Sequence, residues 1–311
     1  VGLVWVMGAP RDPARTGALT GLLLLLASSM GSLLANLVPM WMVSNGDFGA
    51  ISQLSTVLGV VHFGLAMLDA VGTLRATFGG LVAALMQTHL EQTVAAGRPL
   101  RSAAISFVGP AASGPISLRS ELIRSGKSAL QAECRALQGD QVVAILLAGF
   151  GQARESRIGV AAAPAPAFKS VDDSPRLPWL PGITPEFTQH FEFAWSHGDL
   201  PFTGSSKGEI GGWVRLREAA GLTTGAALIM ALVDAWPPAP VPLYQGPAPA
   251  STMTWTLDLP PLDQQAQAGD WWQYEARTVA AAEGYAVTRA SLWTSGGVLA
   301  AVSQQHVAIF Q

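Results

Sequence analysis

The chain has 311 residues, half of them hydrophobic and 13% charged, with a formal net charge of −3. That composition supports a sizeable core in one large domain or two ordinary ones and excludes wholesale disorder. A nearly neutral chain without a basic face argues against a nucleic-acid partner. The lone Cys134 excludes an internal disulfide, and His62, His89, His190, His197 and His306 have no ligand spacing, so neither metal nor cofactor is expected.

Residues 1–47 form a hydrophobic extension. From Thr16 to Val43 the sequence carries no charge, which is long enough to cross a bilayer. Arg11 and Arg15 precede it, as in a signal or anchor, although an A-x-A cleavage pattern is missing. The chain opens on Val1, so a second reading is a start further in, at Met40 or Met42, with the extension not native; a third is a packed soluble helix. Membrane association is expected only if 16–43 is a real anchor.

From about 48 to 153 the sequence reads as one unit. It has a strand-like "VVHFGLAML" (60–68) and a helix whose Phe78, Val82, Leu85, Met86 and Val94 recur at three and four, with Gly97 placed to close it. Strand-like runs follow, ending at "VVAILLAGFG" (142–151). Among them, "LIRSGKSALQ" contains Gly126-Lys127-Ser128, the tail of a phosphate-binding loop. Glu121 stands where that loop needs glycine, and both flanks alternate like strands, so a strand–turn–strand with the bend at Ser125-Gly126-Lys127 is predicted.

Residues 154–186, rich in proline and alanine, read as an extended linker. The unit at 187–311 offers "GGWVRLRE", a charge-free helix in "LTTGAALIMALVDAW", and strands "TMTWTLDL", "WWQYEARTVAA", "GYAVTRASLWTS" and "VLAAVSQQHVAIF". Setting Gly126 over Gly284 makes the halves look like copies: strand, helix, antiparallel meander. A helix apolar all round needs burial on every side, and one curled antiparallel sheet per helix, joined edge to edge, provides it. "GSSKG" (204–208) satisfies the G-x-S-x-G elbow, but a strand-like run follows it where the elbow needs a helix, so it is set aside.

The charge-free helix ends in Asp234. If the carboxyl is inside, it needs hydrogen bonds or a raised pKa and suits a general base; if not, it only ends a helix before Trp236-Pro237-Pro238. An acid at a helix C-terminus opposes the dipole. On the next strand, alternation puts Thr252, Thr254 and Thr256 on one face and Met253, Trp255 and Leu257 on the other, without choosing a threonine. Gln305 alternates in phase with apolar residues, though Gln304 has nearly the same claim.

"TFGGLVAAL" (77–85), "LRSAAISFVGPAASGP" (100–115), "RSGKS" (124–128), "FTQHFEFAW" (187–195), "PFTGSSKGEIGGWVRLRE" (201–218), "ALVDAWPPA" (231–239), "ASTMTWTLDL" (250–259) and "GVLAAVSQQ" (297–305) occur in the order of the double-HotDog acyl-CoA thioesterases of type II, a family that residues 48–311 resemble. The resemblance implies an α+β fold of two tandem HotDog repeats, each a long central helix wrapped by an antiparallel sheet. It implies an acyl-CoA substrate, no cofactor, a cytoplasmic setting, and leaves room for a homo-oligomer of double-HotDog chains. By the same resemblance Asp234, Thr252 and Gln305 hold the hydrolytic water, which would attack the thioester carbonyl without a covalent intermediate. Gly79 and Gly80, opening the first helix, are the candidate oxyanion and substrate-binding positions; a tight turn is their plainer reading. Two departures stand out: the 47-residue leader, and the absence of a tryptophan shortly before "FGG". The competing functions are an acyl-thioester-binding HotDog protein without turnover, and a HotDog dehydratase using His89.

Overall fold

The computed structural model describes residues 77–310 apart from 113, 182–183 and 263–265. The extension at 1–47 and the strand expected at 60–68 lie outside them. Among the described residues no helix is long and apolar enough to cross a membrane.

Strands β1 (Leu100–Phe107), β2 (Ser117–Ser125), β3 (Ala129–Gln138) and β4 (Gln141–Gly151) follow helix α1 (Gly79–Thr93). The segment read as a linker, 154–186, itself contains β5 (Arg176–Leu177), and after it come β6 (Phe191–His197), β7 (Glu209–Leu216), α2 (Ala226–Asp234), β8 (Ala250–Asp258), β9 (Trp272–Ala282), β10 (Tyr285–Trp293) and β11 (Leu299–Ile309). The eleven strands of the described residues form one sheet in the order β2-β3-β4-β1-β8-β11-β10-β9-β7-β6-β5, antiparallel at every pairing.

The order repeats. β1-β4-β3-β2 matches β8-β11-β10-β9, and the copies meet where β1 pairs with β8, Ser102 opposite Asp258 and Ser106 opposite Thr254. Joining there leaves neither β1 nor β8 an open edge. The turns bearing Gly126 and Gly284 do join equivalent strands. The Gly126 amide bonds Ala129 O at 2.8 Å, closing a turn of Lys127 and Ser128, whereas Gly284 lies inside its own turn, with Ala282 opposite Tyr285. Setting one glycine over the other therefore slips the copies by two residues. The Gly-Lys-Ser segment is a hairpin end. "GSSKG" runs from a loop into β7, and its Ser205 hydroxyl bonds Asp199 at 2.6 Å.

The helices differ from expectation in length. α1 has 15 residues and α2 only nine, so a long central helix is present in the first copy alone. α2 starts at Ala226 because Gly225, extended, is its N-cap; α1 stops at Thr93, four residues before Gly97. Leu228 to Val233 are all buried, as a helix without a polar side requires, and each large side chain contributes about 2 kcal/mol by leaving water. Leu81, Met86, Leu90, Phe150, Phe191, Trp255 and Trp272 complete the same core.

The proline-rich linker is extended but fastened. Its carbonyls at Ala163, Pro166 and Lys169 accept hydrogen bonds from Trp293 Nε1, Gln273 Nε2 and Trp213 Nε1, all on strands of the second copy. β6 and β7 run close together at Gly198, whose φ is +78° and whose added Cβ would stand 1.9 Å from Glu209 O. Gly198→Ala is expected to cost about 3 kcal/mol or more, read as a fall in Tm, because both the backbone angle and the carbonyl oppose a side chain.

Candidate active site

α1 and α2 pack antiparallel, so the first residues of α1 meet the last of α2. Glycine makes the meeting tight. A Cβ on Gly79 would lie 3.0 Å from Asp234 Oδ2 and 3.2 Å from Phe107 Cζ; one on Gly80 would lie 2.6 Å from Phe78 Cζ and 3.0 Å from Asp234 Cβ. The glycines are thus the space in which the carboxylate of the other helix sits.

Asp234 is the final residue of α2 and the chain beyond it stays inside: Ala235 and Trp236 are buried, and Trp236 stacks on Tyr274 at 5.0 Å. The plainer reading, an acid leading out to solvent, is excluded. The side chain is partly accessible, yet closely surrounded by protein. Desolvation pushes its carboxyl from 3.8 up to about 7, against the opposing effect of two donors, Gln305 Nε2 at 2.8 Å from Oδ1 and the Gly80 backbone N–H. A carboxylate with that affinity for a proton suits a general base near neutrality.

Gln305 comes from β11, opposite Trp255 of β8, both facing the helices. Gln304 is exposed on the other face, where Arg289 Nε donates to its Oε1 at 3.0 Å. Of the two glutamines, the structure brings Gln305 to Asp234.

Thr252 needs a correction. Alternation set it on the face opposite Trp255 and Leu257, but the pairing jumps from His306–Thr254 to Val307–Thr252, leaving Met253 as a bulge. The extra residue reverses the phase. Thr252 then shares the face of Val307, fully buried, and is itself half-buried, while Met253 is turned out at 44% exposure and Thr254 is exposed. One irregularity therefore separates Thr252 from the other two threonines and places it on the inward face of β8, beside the strand of Gln305.

Other groups were not anticipated. The Gly80 amide holds Asp234, so of the two glycines Gly79 is the one whose N–H has no part in binding the acid. Phe107, at the end of β1, covers Gly79. Phe78 stacks on Phe187 at 4.1 Å and continues through Phe191 and Phe193 to Trp236, an aromatic wall beside the carboxylate. Tyr274, whose phenol is raised by burial and then by Asp234, closes the wall. The only sequence signal for these was the clustering of aromatics in "FTQHFEFAW". His89 lies ten residues past Gly79 on α1, about 15 Å along the axis, so the structure does not bring it to Asp234.

Two outcomes are expected. The folded state keeps a proton on Asp234 that the unfolded chain releases near pH 4, so stability falls as pH rises from about 4 to 7, by up to about 4 kcal/mol. Asp234→Asn removes that cost, and its Tm should exceed the parent's at pH 8 and match it near pH 4. Gly80→Ala should lower Tm and displace the carboxylate, because a methyl cannot share space with the Phe78 ring.

The chain and its fold have known relatives. The model of the acyl-CoA thioesterase N-terminal domain matches residues 69–151, and that of the acyl-CoA thioesterase C-terminal domain matches residues 167–309. Among solved structures, a conserved HotDog-fold protein from Alicyclobacillus acidocaldarius is similar, with TM-score 0.69 and 22% identity over 78% of this chain and 90% of that one. A tesB protein of Mycobacterium avium subspecies paratuberculosis gives 0.63 and 16% over 76% and 89%, and an acyl-CoA thioesterase II, TesB2, of Mycobacterium marinum gives 0.58 and 20% over 75% and 90%. A search of curated proteins finds no match. With both domain models matched in sequence order across most of its length, the chain belongs to the acyl-CoA thioesterase family and carries the HotDog fold.

Proposed function

We propose that this protein hydrolyses acyl-CoA thioesters to the free acid and CoA, with Asp234 as general base and Thr252 and Gln305 orienting the water. The observation that carries this reading is a buried carboxyl of pKa about 7, tied to Gln305 and to the first turn of the other helix, in a member of a thioesterase family. Gln305 fixes one oxygen of Asp234, leaving the other to accept a proton from water. The hydroxide so formed attacks the thioester carbonyl carbon. As the tetrahedral intermediate collapses, the C–S bond breaks, CoA leaves as the thiolate, and the proton on Asp234 returns to the sulfur or to solvent.

The oxyanion needs preorganised donors in a dry site. With the Gly80 amide engaged by Asp234, that role falls to the Gly79 N–H at the start of α1, and Gly80 acts by holding the base. No cysteine nucleophile competes: Cys134 is buried in β3 and its thiol is pushed up to about 12 by burial and by Glu133. The repeated strand order supports reading 48–153 and 187–311 as two repeats with the acid, hydroxyl and amide all in the second. Acyl-CoA being a cytoplasmic metabolite, the same reading sets the enzyme there.

The test is CoA release followed with DTNB over a panel of acyl-CoAs. Asp234→Asn is expected to lower kcat by at least about 1,000-fold with KM little changed, Gln305→Leu by about 100-fold, and Gln304→Leu by less than twofold. Wild-type binding of acyl-CoA without turnover would favour an acyl-thioester-binding protein; full activity in Asp234→Asn would remove the base.

A further inference from the structure

A cavity lies where the symmetry of the two copies puts a second site. Taking the helix N-caps as equivalent, Phe78 with Gly225, the residue nine positions on is Asp234 in α2 and Gln87 in α1. The bulge at Met253 has its twin at Arg101, where the β1–β4 pairing jumps from Ser102–Gly149 to Leu100–Phe150. Leu100 is thus the counterpart of Thr252, and Ala148, two residues before Phe150, the counterpart of Gln305. Acid, hydroxyl and amide are replaced by an amide, a leucine and an alanine. This end of the helix pair has no base and cannot hydrolyse by the route proposed for the other.

It has nevertheless kept its space. A cavity of about 750 Å³ lies there, with Leu100, Arg101, Ala226, Ile229, Leu259 and Glu91 among its walls. That volume suits a small ligand. Gln87 is fully buried beside it in sequence, its amide atoms making no hydrogen bond of normal geometry, and the group it influences is the Glu91 carboxyl one turn on. Leu100, Ile229 and Leu259 give an aliphatic wall. Arg101 lines the cavity, and its side chain is anchored by Nε donating to Gly151 O at 2.9 Å. Arg101 is the one cation among the cavity's walls, which suits a ligand with a single anionic group; a polyphosphate would need several cations.

The geometry points to a non-hydrolytic site for an aliphatic carboxylate, a free fatty acid with its chain along Leu100, Ile229 and Leu259 and its head at Arg101. The inference rests on the reading of the first site only for the chemical kinship of the two ligands. The test is calorimetric titration of the full chain with octanoate, dodecanoate and hexadecanoate, in parallel with the DTNB assay. At least one acid should bind, with binding abolished by Ala226→Trp, which obstructs the cavity beside Ile229, weakened about tenfold by Arg101→Met, and retained by Asp234→Asn. Binding that persists unchanged in both Ala226→Trp and Arg101→Met, or no binding by any of the three acids, overturns the proposal. Because the readout is binding, a chain that fails to release CoA yet loses the fatty acid with Ala226→Trp keeps this site and loses only the other.

Discussion

A carboxylate at the wrong end of a helix governs this structure. Asp234 ends α2 where the helix dipole disfavours a negative charge, and protein surrounds it where water cannot fully solvate it. What makes the position tolerable is the helix running the other way: the first turn of α1 presents the Gly80 N–H to the same carboxylate, and Gln305 adds a side-chain donor. Those two donors recover part of the desolvation cost and no more, which is why the acid titrates near neutrality. The poised acid thus follows from an arrangement that is incompletely satisfied.

Everything else positions that encounter. Pairing β1 with β8 lays the two helices antiparallel across one sheet, so an N-terminus of one copy faces the C-terminus of the other. Glycines at 79 and 80 set the separation. The bulge at Met253 then turns Thr252 toward the helices without breaking the strand. The twin bulge at Arg101 belongs to the same architecture, and the residues around it have diverged to Gln87, Leu100 and Ala148. The framework is shared by both ends, while the acid, hydroxyl and amide of the proposed chemistry stand at one of them.

The architecture was legible because period-two alternation in β7 to β11 and a charge-free stretch in α2 leave few alternatives. Helix ends were less so: Gly225 sets the start of α2 and the turn after Thr93 halts α1, both decided by local backbone rather than by apolar periodicity. Asp234 stood out as the lone charge closing an apolar run, but whether it faced inward depended on Trp236 turning back onto Tyr274, a contact between residues far apart in sequence. Thr252 was misplaced for a definite reason: alternation assumes an unbroken ladder, and one bulged residue inverts it. The fastening of the linker by Trp213, Gln273 and Trp293 was equally invisible, since backbone carbonyls carry no sequence signature.

The central claim is that the buried carboxyl of Asp234, ionised, is the base that activates water. It is tested most directly by the pH dependence of kcat/KM for CoA release from an acyl-CoA. The account predicts a rate rising about tenfold per pH unit below an inflection near 7 and level above it, with the inflection displaced in Gln305→Leu, which loses a donor to the ionised form. A profile flat from pH 5 to 8, or an inflection unmoved by loss of Gln305, would contradict it.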